Sequence, residues 1–577
     1  MNSSCDSQPS TFLGLLLQSL SSSCNRSGYG GGSSQLFRDL VTREVNAFLW
    51  LALIVVTALL LRKVVKLFLL WYKARSIPGI PSPSCYGHCK LISRDNFTDL
   101  LSESHKRYGP VVKLWLGPTQ LLVSVKDPSL IQEMLAKADD KLPYTGKVFR
   151  LAFGQSNLFA SSFEEVQKRR EFLAAELNER LLENADLIPS TVADFIMHKL
   201  ENIRGDIDCR LVSQNMAFSL MGAMFFGDDF LEWPKAAIYE ELLMKIAKDA
   251  CFWASYNVTP FWKRGFWRYQ CLCTKLKCLT QDILEHCRKN CKLFHGIEHN
   301  VHSEKSNPEM ETTRGAQCYS DVDCPGFLGE HRDHDIAKEE PCGNIMGVMF
   351  HGCQTIAALI SSVLTMLVMH PEIQDKVYSE ITIVGKKPSK YEQEDIYRMP
   401  LLLATIYESA RLVQIGPLLQ RCSLKHDLSF TTGITIPAGA VLVVPIQLVQ
   451  MDDSNWGGNA SDFNPYRFLS NARKGSKVVL DATNTGSAEE HRNPGIDSLL
   501  LNDPNENAAF LPFGSGSRAC VGQKFAVQVV ATLFALILKK YEIKLHSGPE
   551  SDPKLTSKNH LLQQLPNSPV VFKRRDN

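Results

Sequence analysis

The sequence has almost no net charge and no dense set of cysteines. Its 63 lysine and arginine residues are nearly balanced by 61 aspartate and glutamate residues, which leaves a formal net charge of +2. This balance gives no reason to expect nucleic acid as a partner. The 17 cysteines are scattered over 577 residues, unlike the crowded pattern of a small disulfide-stapled domain. We therefore expect most cysteines to be reduced and cytosol-facing, with Cys5 and Cys24 as separate cases because they precede an apolar run.

The chain also lacks the regular ligand spacing of a zinc site. Residues 296–340 are polar and of mixed charge, which predicts a surface insertion, and residues 470–508 predict a second one. Ligands of structural zinc recur at short fixed intervals. No such interval links the histidines and cysteines in and around the first insertion, which are His295, His299, His302, His331, His334, Cys318 and Cys324. We therefore predict no zinc site.

An uncharged run near the N-terminus predicts a membrane anchor. Residues 1–40 are serine-rich and end in a glycine-serine stretch, typical of a flexible tail. The run Val45–Leu61 has 17 uncharged residues, just enough to cross a bilayer, and basic residues follow it up to Arg75. The positive-inside rule then places the C-terminal bulk in the cytosol. We predict an anchor with a basic flank at 41–75, single-pass in the endoplasmic reticulum membrane. A buried core helix and a plastid location are the alternatives.

A proline-rich segment at 76–84 predicts a stiff hinge, after which a catalytic domain spans 85–577. The alternating apolar pattern of 111–125, interrupted by Gly-Pro, predicts a β-hairpin. Two further strands are predicted at Leu428–Ile436 and Ala440–Ile446, with Pro-Ala-Gly as the turn between them.

The stretch that carries the chemistry is FGSGSRACVG at residues 513–522, ahead of an apolar helical segment. Glycines allow tight turns and close approach to a flat ligand. A cysteine at the entrance of a helix lies near free N–H groups and the positive end of the helix dipole, which favours its thiolate. We therefore expect Cys520 to bind one axial position of an iron porphyrin.

The spacing F-x-x-G-x-R-x-C-x-G of this stretch resembles the haem-binding loop of the cytochrome P-450 family. The resemblance implies that Cys520 is the proximal ligand of the iron in haem b (iron protoporphyrin IX). It also implies that Arg518 contacts a haem propionate and that Phe513 packs beside the sulfur. Gly516 and Gly522 complete the cofactor-binding residues of the loop.

Two more arginines match family positions that contact the propionates. Arg421 is one, and a guanidinium suits a carboxylate geometrically. The other is Arg170, in the charged helix predicted at 163–182. The family usually has a tryptophan four residues before this arginine, where this chain has Val166. This chain therefore lacks one of the side chains that donate a hydrogen bond to a haem propionate in the family.

The apolar run 343–369 contains the pentad HGCQT, which resembles the A/G-G-x-D/E-T pattern of the family's oxygen-activation helix. The resemblance implies that Gly352 opens a groove over the iron and that the Thr355 hydroxyl helps deliver protons. Gln354 replaces the usual acid and is expected to hold a water instead. His351 lies one turn before Thr355 and titrates near neutral pH, so it either joins the relay or packs locally.

A third family pattern, E-x-x-R, is present as Glu408 and Arg411, and a later F-x-P-x-R-F segment supplies Arg467. The resemblance implies that these three residues lock the proximal side of the haem pocket and touch no substrate.

The resemblance covers about residues 77–577 and implies a mainly α fold with a small β-rich lobe, behind a single-pass N-terminal anchor. The implied function is a monooxygenase that acts on a small lipophilic substrate, with electrons from NADPH through NADPH-cytochrome P-450 reductase. Two alternatives stay open. Gln354 is compatible with an isomerase or dehydratase that needs no reductase, and His351 with a haem-binding protein without turnover.

Overall fold

The computed structural model describes residues 33–575 with gaps at 83–85, 90, 92–95, 139, 155–158, 160–161, 165, 169, 172, 176–186, 202–206, 257–259, 291–341, 386–392, 415, 417, 424–425, 472–498 and 546–568. Most of the predicted tail, the insertion at 296–340 and most of the one at 470–508 lie outside the described residues.

The described part of the chain is mainly helical with small sheets, as the sequence predicted. Its α-helices, in chain order, are α1 (Ser33–Ala74), α2 (Phe97–Tyr108), α3 (Pro128–Lys137), α4 (Pro143–Phe153), α5 (Leu187–Glu201), α6 (Cys209–Phe226), α7 (Asp229–Glu232), α8 (Ala236–Ala254), α9 (Arg264–Asn290), α10 (Cys342–Met369), α11 (Pro371–Val384), α12 (Gln393–Tyr397), α13 (Pro400–Leu412), α14 (Ile446–Gln450), α15 (Asp453–Trp456) and α16 (Gln523–Lys540). The backbone is also helical at most described positions of 163–175.

The strands form one four-stranded sheet, one three-stranded sheet and two short hairpins within the described ranges. They are β1 (Val111–Leu116), β2 (Gln120–Val125), β3 (Ile207–Asp208), β4 (Leu418–Arg421), β5 (Leu428–Ser429), β6 (Thr435–Ile436), β7 (Val441–Pro445), β8 (Leu469–Asn471), β9 (Leu499–Leu501), β10 (Tyr541–Leu545) and β11 (Pro569–Arg574). The largest sheet has the order β1-β2-β7-β4. The hairpin predicted at 111–125 is confirmed, with Val111 opposite Val125.

The single strand predicted at Leu428–Ile436 is wrong. It is instead a hairpin, in which β5 pairs antiparallel with β6. The turn depends on Gly433, whose φ of +82° is a conformation that glycine adopts without strain. The Gly433 N–H donates to the Phe430 carbonyl at 3.0 Å and closes the turn. An isolated glycine inside a strand pattern thus reverses the chain.

Two described helical segments are long and apolar enough to cross a membrane, and their surroundings differ. Residues Val41–Ala74 of α1 have no buried part in their most apolar window, which makes this segment a candidate anchor. Residues Gly343–Met369 of α10 are 72% buried in theirs. A helix that is apolar all round and covered by protein is a core helix. The chain divides into two compact units, residues 1–72 and residues 73–577, and α10 belongs to the second.

A buried ion network joins α13 to the segment after α15. The Glu408 carboxylate accepts from Arg411 Nε at 2.7 Å and from Arg467 Nε at 3.3 Å, and both Glu408 and Arg411 are fully buried. Arg411 also donates to the carbonyls of Gln450 at 2.5 Å and Ala460 at 2.7 Å. The three residues that the sequence grouped therefore meet inside the fold, where carbonyls satisfy the remaining donors of the guanidinium.

A second buried carboxylate caps the start of α13. Glu380 of α11 accepts from the backbone N–H groups of Leu401 and Leu402, each at 2.9 Å. These donors belong to the first helical turn, which has no partners within the helix. Burial raises the pKa of Glu380 to about 7, although the two N–H groups favour the charged form.

Replacement of Glu380 by glutamine should flatten the pH dependence of stability. The folded-state pKa of about 7 lies above the ordinary value of 4.5, so the folded chain retains a proton that the unfolded chain releases. This group therefore stabilises the fold at low pH, and roughly 3 kcal/mol is lost as the pH rises through 7. The dependence of stability on pH is measured from the urea concentration at the midpoint of unfolding, at pH 5 and at pH 8. The control Glu394→Gln, at an exposed glutamate, should keep the wild-type pH dependence of stability. An unchanged pH dependence in Glu380→Gln would contradict the conclusion that Glu380 contributes to it.

Candidate cofactor site

The ligand loop is held in shape by its own backbone. The Cys520 N–H donates to the Phe513 carbonyl at 2.8 Å and closes the loop, and α16 begins three residues after the cysteine. Gly514 and Gly516 both have a φ of +71°, in the left-handed region where a side chain is strained. The Phe513 ring is buried beside Phe510, with 6.3 Å between the ring centroids. The backbone of Phe513 therefore fixes the position of Cys520.

Gly516 serves close packing in this structure. A Cβ atom there would lie 2.4 Å from the carbonyl oxygen of Leu135 in α3. Only a residue without a side chain lets the loop approach that helix so closely. Its predicted part in binding the cofactor remains a prediction, whereas its contact with α3 is a feature that the motif did not reveal.

Cys520 lines a cavity, and the fold alone does not stabilise its thiolate. Burial raises its pKa, whereas the Gly522 N–H and the charge of Arg170 act in the opposite direction. The sequence led us to expect a lowered pKa at the helix entrance, and this expectation is wrong because desolvation is the largest effect. The residue nevertheless has exposed surface. Such a sulfur suits metal ligation, which deprotonates a thiol outright.

The three predicted arginines converge on the loop. Arg170 Nη2 donates to the Ala519 carbonyl at 2.7 Å, and Arg421 Nη2 reaches the Arg518 carbonyl at 3.5 Å. The Arg518 guanidinium lies over the Phe163 ring, 4.9 Å from its centroid. Both Arg421 and Arg518 are buried.

Lys141 joins this group, and the sequence gave no sign of it. It lies between α3 and α4, in no motif. Burial, and after it the charges of Arg421, Arg518 and Arg170, lower its pKa to about 7. The three guanidiniums are thus near enough for their charges to act on the ammonium.

This set of cations fits a cofactor with two carboxylates. Buried positive charges are costly unless anions pair with them. None of the charged groups that shift the pKa of Lys141 in the described chain is an acid. Haem b would supply two propionates to the arginines, with its iron on Cys520. Their charge and donor type would suit the propionates of the haem that the sequence predicted.

The residues of the predicted oxygen-activation motif lie on α10, and the partners of Thr355 and Gln354 belong to the protein itself. Thr355 Oγ1 donates to the His351 carbonyl at 3.0 Å, not to the imidazole. Gln354 Nε2 points to Met244 of α8, at 3.8 Å from its sulfur. Burial, Lys141 and Arg170 lower the pKa of His351 to about 4, so the ring is neutral at physiological pH. The expectation that His351 titrates near neutral pH is therefore wrong.

Two positions of the family patterns have a packing role, and only the second of them departs from its pattern. A Cβ atom on Gly352 would lie 2.3 Å from Cε of Met221, so this glycine also lets α6 and α10 pack closely. Its predicted groove over the iron remains a prediction. Val166 stands where the family has tryptophan and is fully buried. It fills core space and offers no donor to a carboxylate.

A cavity of about 860 Å³ reaches the ligand residue from one side. Cys520, Arg170 and Ala519 form part of its wall, together with Tyr407 of α13 and Gln528 of α16. Lys141, Arg421 and Arg518 are not among its lining residues. Of the four cations, only Arg170 therefore lines this cavity.

Residues 78–571 match the family model described as Cytochrome P450. Human cytochrome P450 4X1 is 24% identical over 546 residues, which cover 91% of this chain and 96% of the relative. Cytochrome P450 734A5 of Oryza sativa subsp. japonica is 24% identical over 491 residues, covering 81% and 80%. Cytochrome P450 97B2, chloroplastic, of Glycine max is 23% identical over 478 residues, covering 77% of each.

Proposed function

Because the chain belongs to the cytochrome P450 family, we propose that it is a membrane-anchored monooxygenase of small lipophilic substrates. Electrons come from NADPH through NADPH-cytochrome P-450 reductase. Bound haem supplies the activation of dioxygen, and thiolate ligation favours O–O cleavage. The observation that carries the proposal is the convergence of Arg170 and Arg421 on the loop that contains Arg518 and Cys520, with Lys141 within reach of the three guanidinium charges.

The chain's own residues have separable roles in this proposal. Cys520 binds the iron, and the arginines hold the propionates as charge-assisted pairs. The Thr355 hydroxyl donates its proton to a carbonyl, so its oxygen accepts a hydrogen bond from a water or a substrate oxygen. The Gln354 amide orients such a water but cannot donate a titratable proton. Proton delivery therefore depends on Thr355 and water.

We place the protein in the endoplasmic reticulum membrane, with the catalytic unit in the cytosol. The apolar segment Val41–Ala74 and the basic residues in its last third support this placement. A plastid membrane is the second location, since one relative is named chloroplastic.

The direct test is oxygen consumption by the haem-loaded full-length protein. With reductase, NADPH and candidate lipophilic substrates, oxygen and NADPH should be used together with formation of an oxygenated product. Substrate conversion that proceeds equally well without reductase would instead establish the isomerase or dehydratase class. Gln354 favours that second candidate, because its amide contacts Met244 where the family has an acid.

Replacement of Thr355 by alanine should divert reducing equivalents into hydrogen peroxide. Loss of one proton-relay hydroxyl typically costs about 10²-fold or more in the step that it assists. Product formed per NADPH is the measurement, with Thr365→Ala as the control, because that hydroxyl on the same helix is buried and bonds to the Ser361 carbonyl and to Cys209. If product yield and NADPH use in Thr355→Ala were unchanged, Thr355 would have no part in proton delivery.

A further inference from the structure

The cavity that Cys520 lines has no part in the proposed reaction. It holds about 860 Å³ and is bordered by the helical segment at 163–175, by α12, α13 and α16, and by the chain that follows β9. Its described lining includes no residue of α10, and neither Arg421 nor Arg518. The residues predicted to surround the porphyrin and the bound dioxygen therefore lie elsewhere, so this cavity is not the space predicted for the haem.

The inner wall of this cavity is apolar, and its charges balance. Ile396 of α12, Leu403 of α13 and Val527 of α16 line it and are buried. The charged lining residues are two acids and two cations, namely Glu171, Asp503, Arg170 and Lys524. A mostly apolar cavity with a few polar groups is the usual form of a small-molecule site. Because the acids and cations offset each other, the wall favours a neutral occupant.

Most polar side chains on this wall already have partners within the protein. The Gln167 amide donates to the Glu171 carboxylate at 2.9 Å. The Asp503 carboxylate accepts from the Asn505 N–H at 2.9 Å, and the Arg170 guanidinium donates to the ligand loop, as described above. These groups are therefore satisfied without an occupant.

Two amide side chains on the wall are exceptions. Gln528 Oε1 and Asn502 Nδ2 are enclosed by protein and have no hydrogen-bond partner in the described part of the chain. Gln528 is only 4% exposed, at a position of α16 between buried apolar residues. A buried amide atom without a partner costs free energy and calls for an explanation. The last torsion of an amide side chain is soft, so a small rotation presents either its oxygen or its nitrogen to an occupant.

We propose that this cavity is a second small-molecule site, separate from the substrate site, and that it binds a flat, neutral molecule with one amide group, such as an aromatic lactam. The amides of Gln528 and Asn502 each offer a donor and an acceptor, which match the C=O and the N–H of such a ligand. Phe163 and Tyr407 also line the cavity, and aromatic side chains favour contact with a flat ring.

The probe is carbostyril, a bicyclic aromatic lactam, and N-methylcarbostyril is the analogue that lacks the N–H. The haem-loaded full-length protein is first saturated with N-phenylimidazole, whose ring nitrogen binds iron and blocks the substrate side. Isothermal titration calorimetry should then show a single site for carbostyril. The N-methyl analogue should bind at least about tenfold more weakly, the usual cost of leaving one buried amide group unpaired.

Substitution of the two amides tests the location of the site. Gln528→Leu and Asn502→Leu should each weaken the binding of carbostyril about tenfold. Gln528→Leu should not lower the free energy of unfolding, because leucine replaces an amide that is unpaired in the described structure. Gln528→Met is a second variant of similar size. Gln281→Leu, on the exposed surface of α9 and outside the cavity, should bind carbostyril as wild type does.

Three results would overturn the inference. The first is that wild type does not bind carbostyril, or binds it no better than the N-methyl analogue. The second is wild-type affinity in both Gln528→Leu and Gln528→Met, since the compound would then occupy another space. The third is a marked loss of stability in both variants, which would show that the amide serves the fold. Because binding is measured without reductase or turnover, none of these results bears on the monooxygenase proposal.

Discussion

Replacement of Cys520 by alanine will abolish the long-wavelength Soret band that the reduced, carbon-monoxide-bound protein shows when a thiolate ligates the iron. Turnover should fall by more than about 100-fold, since even changes behind a metal ligand cost 10- to 100-fold. The fold should survive, because the backbone bond from Cys520 to the Phe513 carbonyl does not need the side chain.

The control is Cys278→Ala, which removes an exposed thiol of α9. It should keep the band, the haem content and the activity of wild type. A Cys520→Ala protein that retained the same band would show that another residue ligates the iron, and circular dichroism of both variants establishes that they are folded.

Replacement of Glu408 by alanine should lower the free energy of unfolding by about 3–5 kcal/mol, the usual cost of leaving a buried charge without its partner. The change strands Arg411, which is fully buried and has Glu408 as its acidic partner in the described structure. It also removes the acceptor that the Asn464 N–H and Arg467 share. Urea denaturation of the haem-loaded protein measures the loss.

An exposed ion pair provides the matched comparison. Lys235 and Asp282 are 2.7 Å apart but about half exposed, so Asp282→Ala should cost less than about 1 kcal/mol. If Glu408→Ala cost no more than this control, the network would contribute little to the stability of the fold.

The sequence predicted those parts of the site that one short segment specifies. The loop at 513–522 fixes residue types and spacing together, and Arg421, Arg170 and Arg518 follow from patterns of the same kind. Lys141 has no such pattern. It comes near these arginines only because α3, β4 and α10 fold together. A single lysine between two helices has no characteristic spacing from which its position in the fold could be predicted.

The predictions that the structure contradicts failed because they depended on the surrounding fold. The pKa values of Cys520 and His351 were misjudged because helix position and ordinary titration ranges can be read from a sequence, whereas desolvation depends on the surrounding fold. Gly433 divides a strand because one left-handed residue is enough to reverse the chain.

The crowding of Lys141 with three guanidiniums has a consequence for biosynthesis. In the apoprotein these charges repel one another, so the polypeptide is least stable before it acquires its prosthetic group. Ligand binding to the native state alone stabilises it by mass action. Cellular haem supply should therefore set how much of the newly made chain escapes degradation, and the mature protein should accumulate in proportion to that supply.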